Sequence, residues 1–187
     1  MTSVRACFMA LLVLASIVGP IPAWADTAPP GPAADAEHAR LIAMSGDWDV
    51  AMTFWFRPGG AGIRTRGSSV IRPLFGGLFI QEDIEGTLNG TPFSTRAWTG
   101  FNAATRQYEA TRIASTNTIR IAETGAFDEQ GRRFELRADY VFAGDTWHQR
   151  TVIEPASADA MSATSYLSFG NVPEWKAVEI VYTRRAK

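Results

Sequence analysis

Few side chains in this sequence combine a reactive type with a suggestive spacing. Glu82 is the first. It shares strand parity with Leu78, Ile80 and Ile84, opposite Phe79, Gln81, Asp83 and Glu85. A strand that turned the Glu82 face inward would partly desolvate its carboxylate and raise its proton affinity unless a cation lay close. Arg96 and Arg112 on the next two strands are the cations within reach. Two readings follow: an anchor for the polar head of a ligand, or an internal salt bridge, with a bulge that shifts the parity as a further alternative. A third use is general acid–base catalysis of the isomerase, cyclase or hydrolase kind, by Glu82 or by Asp83 and Glu85.

His148 could in principle serve as the axial ligand of a haem. Its parity with Thr146 and Arg150, opposite Trp147, Gln149, Thr151 and Ile153, turns it outward instead. His38 is the second histidine, and without clustered carboxylates the two do not supply a zinc site. No Gly-x-Ser-x-Gly elbow is present. The glycine-rich segment 57–62 lacks the Gly-Lys-Ser/Thr of a phosphate cradle, so it reads as a loop. No cofactor or metal is expected from these residues. The aromatic side chains Trp48, Phe54, Trp98, Phe101, Tyr108, Tyr140 and Trp147 are numerous enough to line an apolar interior as well as to fill one.

The elements that must position these residues are strands. Over 45–56, Trp48, Val50, Met52, Phe54 and Phe56 alternate with Asp47, Asp49, Ala51 and Thr53, the pattern of a strand with one buried face. Further strands are expected over about 63–72, 78–86, 93–101, 107–114, 118–127, 134–142, 146–154, 161–169 and 175–184. Phe134, Leu136, Ala138, Tyr140 and Phe142 form the next clearest alternation. Asn89-Gly90 is the strongest turn signal, because a two-residue hairpin turn requires positive φ at both positions. Asp35 is placed to cap a short helix ending near Met44, with Gly46 stopping it. Ten strands with tight turns and no helix long enough for a crossover predict an all-β fold: a single antiparallel up-and-down β-barrel of about ten strands with a short N-terminal helix.

Residues 1–25 read as a signal peptide. Arg5 supplies the positive end, 8–18 the short apolar run, and Ala23-Trp24-Ala25 a small-x-small cleavage site. The expectation is export to the periplasm or beyond, with no membrane association after cleavage. Residues 26–36, rich in Pro and Ala, read as a flexible linker, leaving 37–187 as the barrel domain. The single cysteine, Cys7, falls in the leader, so disulfides and thiolate chemistry are not expected after cleavage. With 18 Lys and Arg against 19 Asp and Glu, the chain lacks the basic footprint of a nucleic-acid binder.

Gly46-Asp47-Trp48, opening the first strand after a short helix, resembles the Gly-x-Trp signature of lipocalin and calycin barrels. That resemblance implies an Arg near the last strand packed on the Trp at the closed end, and Arg184 is the matching residue. Such a cation–π contact would contribute about 0.5–2 kcal/mol. The wider set of Gly46-Asp-Trp-Asp49, Phe75-Gly-Gly-Leu-Phe-Ile-Gln-Glu82, Thr99-Gly-Phe-Asn-Ala-Ala-Thr-Arg-Gln-Tyr108 and Val181-Tyr-Thr-Arg-Arg185 resembles a family of small, mostly bacterial barrel domains of unknown function. The expected function is interior binding of a small apolar or amphipathic molecule, with Glu82, Arg96, Trp98, Tyr108 and Arg112 as candidate ligand-binding residues. Trp48 and Arg184 are the candidate closure pair.

Overall fold

The computed structural model describes residues 33–186, so the expected leader (1–25) and most of the expected linker (26–36) lie outside the described residues. One helix, α1 (Ala36–Ala43), precedes ten strands. These are β1 (Gly46–Phe54), β2 (Ile63–Leu74), β3 (Phe79–Leu88), β4 (Thr91–Asn102) and β5 (Gln107–Ala114). The second half comprises β6 (Ile121–Phe127), β7 (Phe134–Phe142), β8 (Asp145–Ser157), β9 (Ala160–Phe169) and β10 (Val172–Arg184). Each strand pairs antiparallel with its sequence neighbours, and β1 pairs with β10, from Trp48 opposite Arg184 to Phe54 opposite Val178. The barrel is therefore closed and up-and-down, which leaves no free sheet edge among these strands. None of the helices among the described residues is long and apolar enough to cross a membrane.

The hairpins follow from local chemistry. Asn89 and Gly90 both adopt positive φ, at 50° and 81°, which lets β3 turn into β4 in two residues. Glycine is required where strands approach most closely. A Cβ on Gly125 would lie 1.8 Å from the Glu135 carbonyl oxygen across the β6–β7 pair. Strand β6 starts at Ile121, three residues later than the sequence pattern suggests. The intervening Ser115-Thr-Asn-Thr118 is polar, and the Asn117 side chain accepts a hydrogen bond from the Ile119 amide at 2.9 Å, a local turn that competes with strand pairing.

One end of the barrel is plugged. Asp35 caps α1, its carboxylate accepting from the Glu37 and His38 amides, while the His38 ring accepts from the Asp35 amide. Leu41 and Met44 pack against Trp48 inside the wall. Trp48 donates its indole N–H to the Met44 carbonyl at 3.1 Å. The Arg184 guanidinium lies 4.1 Å from the Trp48 ring centre and donates to the carbonyls of Ser45 and Ala158 at 2.7 and 2.6 Å. Gly46 admits this arrangement, since a Cβ there would sit 2.0 Å from the guanidinium. Beside the helix, Phe127 and Phe134 stack at 4.4 Å and Tyr108 packs edge-on against both.

Candidate interior binding site

Strand register fixes which side chains reach the interior. From Trp48, Val50 and Met52 on β1, pairing carries the inward face to Ser69 and Ile71 on β2, then to Ile80, Glu82 and Ile84 on β3. Glu82 sits opposite Ala97 on β4, which sits opposite Arg112 on β5. The small Ala97 leaves lateral room between the carboxylate and the guanidinium. Glu123 on β6 pairs with Ala110, and Gln149, Thr151 and Ser165 continue the inward face on β8 and β9.

These residues form a polar belt across an otherwise apolar bore. The Glu82 Oε1 accepts from the Ser69 hydroxyl at 2.9 Å and from the Tyr182 phenol at 3.0 Å. The Glu123 Oε1 accepts from the Gln149 amide at 3.1 Å and the Thr151 hydroxyl at 3.0 Å. Its Oε2 has no hydrogen-bond partner among the described residues and lies 3.6 Å from the Arg112 Nε, although Glu123 is 1% exposed. Burial opposes the Arg112 charge, but the facing Glu123 and Glu82 carboxylates outweigh it and hold its proton more tightly than usual. Burial, reinforced by Glu82, pushes the Tyr182 phenol well above the ordinary tyrosine range, and Tyr140 moves the same way through burial and Glu123.

The belt separates two interior spaces. Toward the plugged end, Glu82, Arg112, Tyr182, Phe134 and Leu136 line a gap of about 30 Å³, close to the volume of one water molecule. Toward the mouth lies a cavity of about 160 Å³. Its apolar wall includes Met52, Ile84, Phe93, Leu167 and Ile180, and its polar floor is Arg112, Gln149, Thr95 and Ser165. Aromatic rings gather around this end. Trp147 stacks on Phe169 at 4.3 Å, Trp175 and Phe142 pack edge-on to Trp147, and Phe54 meets Phe93. Phe56 and Phe142 remain exposed at the rim. A wider open concavity of about 630 Å³ lies against the outer wall, beside Val70, Asp83, Glu85, Arg96 and Ile113. It is not part of the bore.

The five candidate ligand-binding residues therefore separate. Arg112 lies inside and floors the mouth-side cavity, and Glu82 lies inside beneath it. Tyr108 is inside but belongs to the plug: its hydroxyl donates to the Glu37 carboxylate at 2.6 Å, and burial together with that carboxylate pushes its ionisation upward. Arg96 and Trp98 are corrections. Both project from the outer wall, because Ala97 between them points inward. Arg96 pairs with Asp83, and Trp98 donates to Gln81 at 3.0 Å. His148 also stands outside, exposed, with its ring 2.7 Å from Asp139, so it does not reach the interior as a haem ligand. Glu123 was missed, although its parity with Ile121 and Phe127 carries the signal. Ser69, Gln149, Thr151 and Tyr182 were legible in the same way, as polar residues on apolar-facing parities.

A model of a family described as "Protein of unknown function (DUF1579)" matches residues 33–184. The chain belongs to that family. No curated protein matches the sequence. Among solved structures, Rv2717c from M. tuberculosis aligns with a TM-score of 0.60 at 16% identity, covering 83% of this chain and 100% of that one. The S-type phycobiliprotein lyase CPES from Guillardia theta aligns with a TM-score of 0.54 at 11% identity, covering 82% and 99%. At these identities the likeness is one of fold, a calycin-like barrel.

Proposed function

We propose that this DUF1579 protein is an exported carrier or receptor barrel that holds a small apolar or amphipathic molecule in its mouth-side half. The observation that carries this reading is the cavity of about 160 Å³ above the polar belt, walled by apolar side chains and ringed by aromatic residues. Its size suits one ring or a short alkyl segment, comparable to apolar cavities that accept benzene. A longer ligand would extend between Phe54, Phe93 and the Trp147–Phe169 pair, where aromatic faces offer large contact areas. A neighbouring fold that carries a phycobiliprotein lyase is compatible with small-molecule handling on this architecture, though by analogy alone.

Export rests on the leader pattern of residues 1–25. Native mass spectrometry on protein purified from the periplasm of its own host tests both parts. The expected species begins at Asp26 and carries a non-covalent adduct that the Leu167→Trp variant, with a larger side chain in the cavity, loses. An uncleaved chain counts against export. Wild-type and Leu167→Trp proteins that behave identically, with no adduct and no uptake of added toluene or acetophenone, count against the binding site.

A further inference from the structure

The charges of the belt limit what kind of head group the mouth-side cavity accepts. Glu82 and Glu123 face the interior with Arg112 between them, two carboxylates against one guanidinium, a formal −1. Of the other polar side chains lining the cavity, Gln149 and Ser165 are engaged, and the neutral Thr95 hydroxyl is available beside Arg112. The Gln149 amide nitrogen donates to Glu123 and Thr151, its oxygen receives the Tyr140 hydroxyl in a long contact of 3.4 Å, and Ser165 is 3.2 Å from Thr151. Arg112 is different. Its one close polar approach among the described residues is the 3.6 Å contact of Nε with Glu123, which leaves N–H groups of the guanidinium fork for another acceptor. Arg112 lines both the mouth-side cavity and the gap beneath it, whereas Glu82 lines only the gap and Glu123 neither.

We infer that the ligand of this cavity presents a neutral hydrogen-bond acceptor, a carbonyl of the ketone, ester or amide class, to Arg112, and that free carboxylates are selected against. The inference rests on the binding function proposed above and specifies the chemistry of the same site. A carbonyl would complete the Arg112 donor set without adding charge. A carboxylate would bring a third anion into a bore with one cation, where the low dielectric magnifies repulsion from Glu123 and Glu82. A cationic head would meet Arg112 first. An apolar ligand without an acceptor would leave the guanidinium donors unanswered, the kind of omission that weakens binding.

Titration of the full-length mature chain by two-dimensional amide NMR with four probes of one size tests the inference: acetophenone, benzoate, benzylammonium and toluene. Acetophenone is expected to bind tightest, by about tenfold or more over benzoate at neutral pH, the scale of one extra like charge several ångströms away in a partly dry interior. Glu123→Gln removes one carboxylate and is expected to raise benzoate affinity by about tenfold while moving acetophenone less. Glu82→Gln applies the same test from the other side of Arg112 should the first variant fail to fold. Benzoate, benzylammonium or toluene binding as tightly as acetophenone would overturn the inference and leave the cavity reading standing. So would a benzoate affinity that neither variant changes. If none of the four probes shifts the resonances of Ile84, Leu167 and Ile180, the binding function falls as well.

Discussion

The two halves of the barrel use the same ten strands to opposite ends. Below the polar belt, Leu41, Trp48, Phe134 and Leu136 are at most 2% exposed and the gap between them is about one water in volume, while a concavity of about 330 Å³ opens beside α1, at Arg40, Met44, Trp48, Phe127 and Met161. Above it, Phe54, Phe93, Leu167, Val178 and Ile180 are only partly buried and leave room for a ring. The β9–β10 pairing shifts register twice near the mouth, between Val172 and Trp175 and between Lys176 and Val178. The difference comes from α1, which plugs one end, and from the belt, which stops the apolar filling partway along the bore. Full burial of large side chains is concentrated at the closed end.

Truncations on the two sides should therefore differ most. Phe134→Ala in the plugged half is expected to lose about 3–5 kcal/mol in denaturant unfolding, because a buried ring stacked on Phe127 leaves a cavity the wall cannot close. Leu167→Ala on the mouth side is expected to lose about 1 kcal/mol and to increase toluene uptake, since its side chain already borders open space. Equal losses at the two sites would erase the contrast. Gly125→Ala is expected to destabilise by about 2–4 kcal/mol, because the obstacle is the Glu135 backbone and not a movable side chain.

Alkaline pH offers a different view of the interior. Tyr182, Tyr140 and Tyr108 are each raised above the ordinary tyrosine value of 10.0, first by burial and then by Glu82, Glu123 and Glu37 respectively. Groups raised on folding contribute stability that is whole below the unfolded-chain value and lost as pH climbs through the folded one. The unfolding midpoint in denaturant is expected to hold up to about pH 10 and fall beyond it. Tyrosinate absorbance for these three rings should appear only as the barrel unfolds. Early ionisation of all three in folded protein would mean the belt and plug are wet. The smallest effect is expected outside the wall: Arg96→Ala, which breaks an exposed pair with Asp83, should change stability by about 0.5 kcal/mol or less and leave ligand uptake unchanged.

Much of this arrangement was legible as alternation. The parity of Trp48, Val50 and Met52 gave the inward face of β1, and that of Leu78, Ile80 and Ile84 carried Glu82 into the bore. Arg96 and Trp98 were misplaced because they were chosen by type and proximity to Glu82, while the alternation of Phe93, Thr95, Ala97 and Thr99 already sent them outward. A one-residue step along a strand reverses the face, so type without parity misleads. Glu123 was overlooked because β6 is short and its polar neighbours blur the pattern. Cavity size was not legible at all, since it depends on how ten side-chain sets interdigitate and not on any one strand.

Xenon bound to crystals of residues 26–187 under pressure tests the division of the bore most directly, because the gas reports unfilled apolar space without polar recognition. The expected result is xenon within the barrel on the mouth side alone, near Ile84, Leu167 and Ile180. Xenon beside Phe134 and Leu136, or none inside the wall, would contradict it.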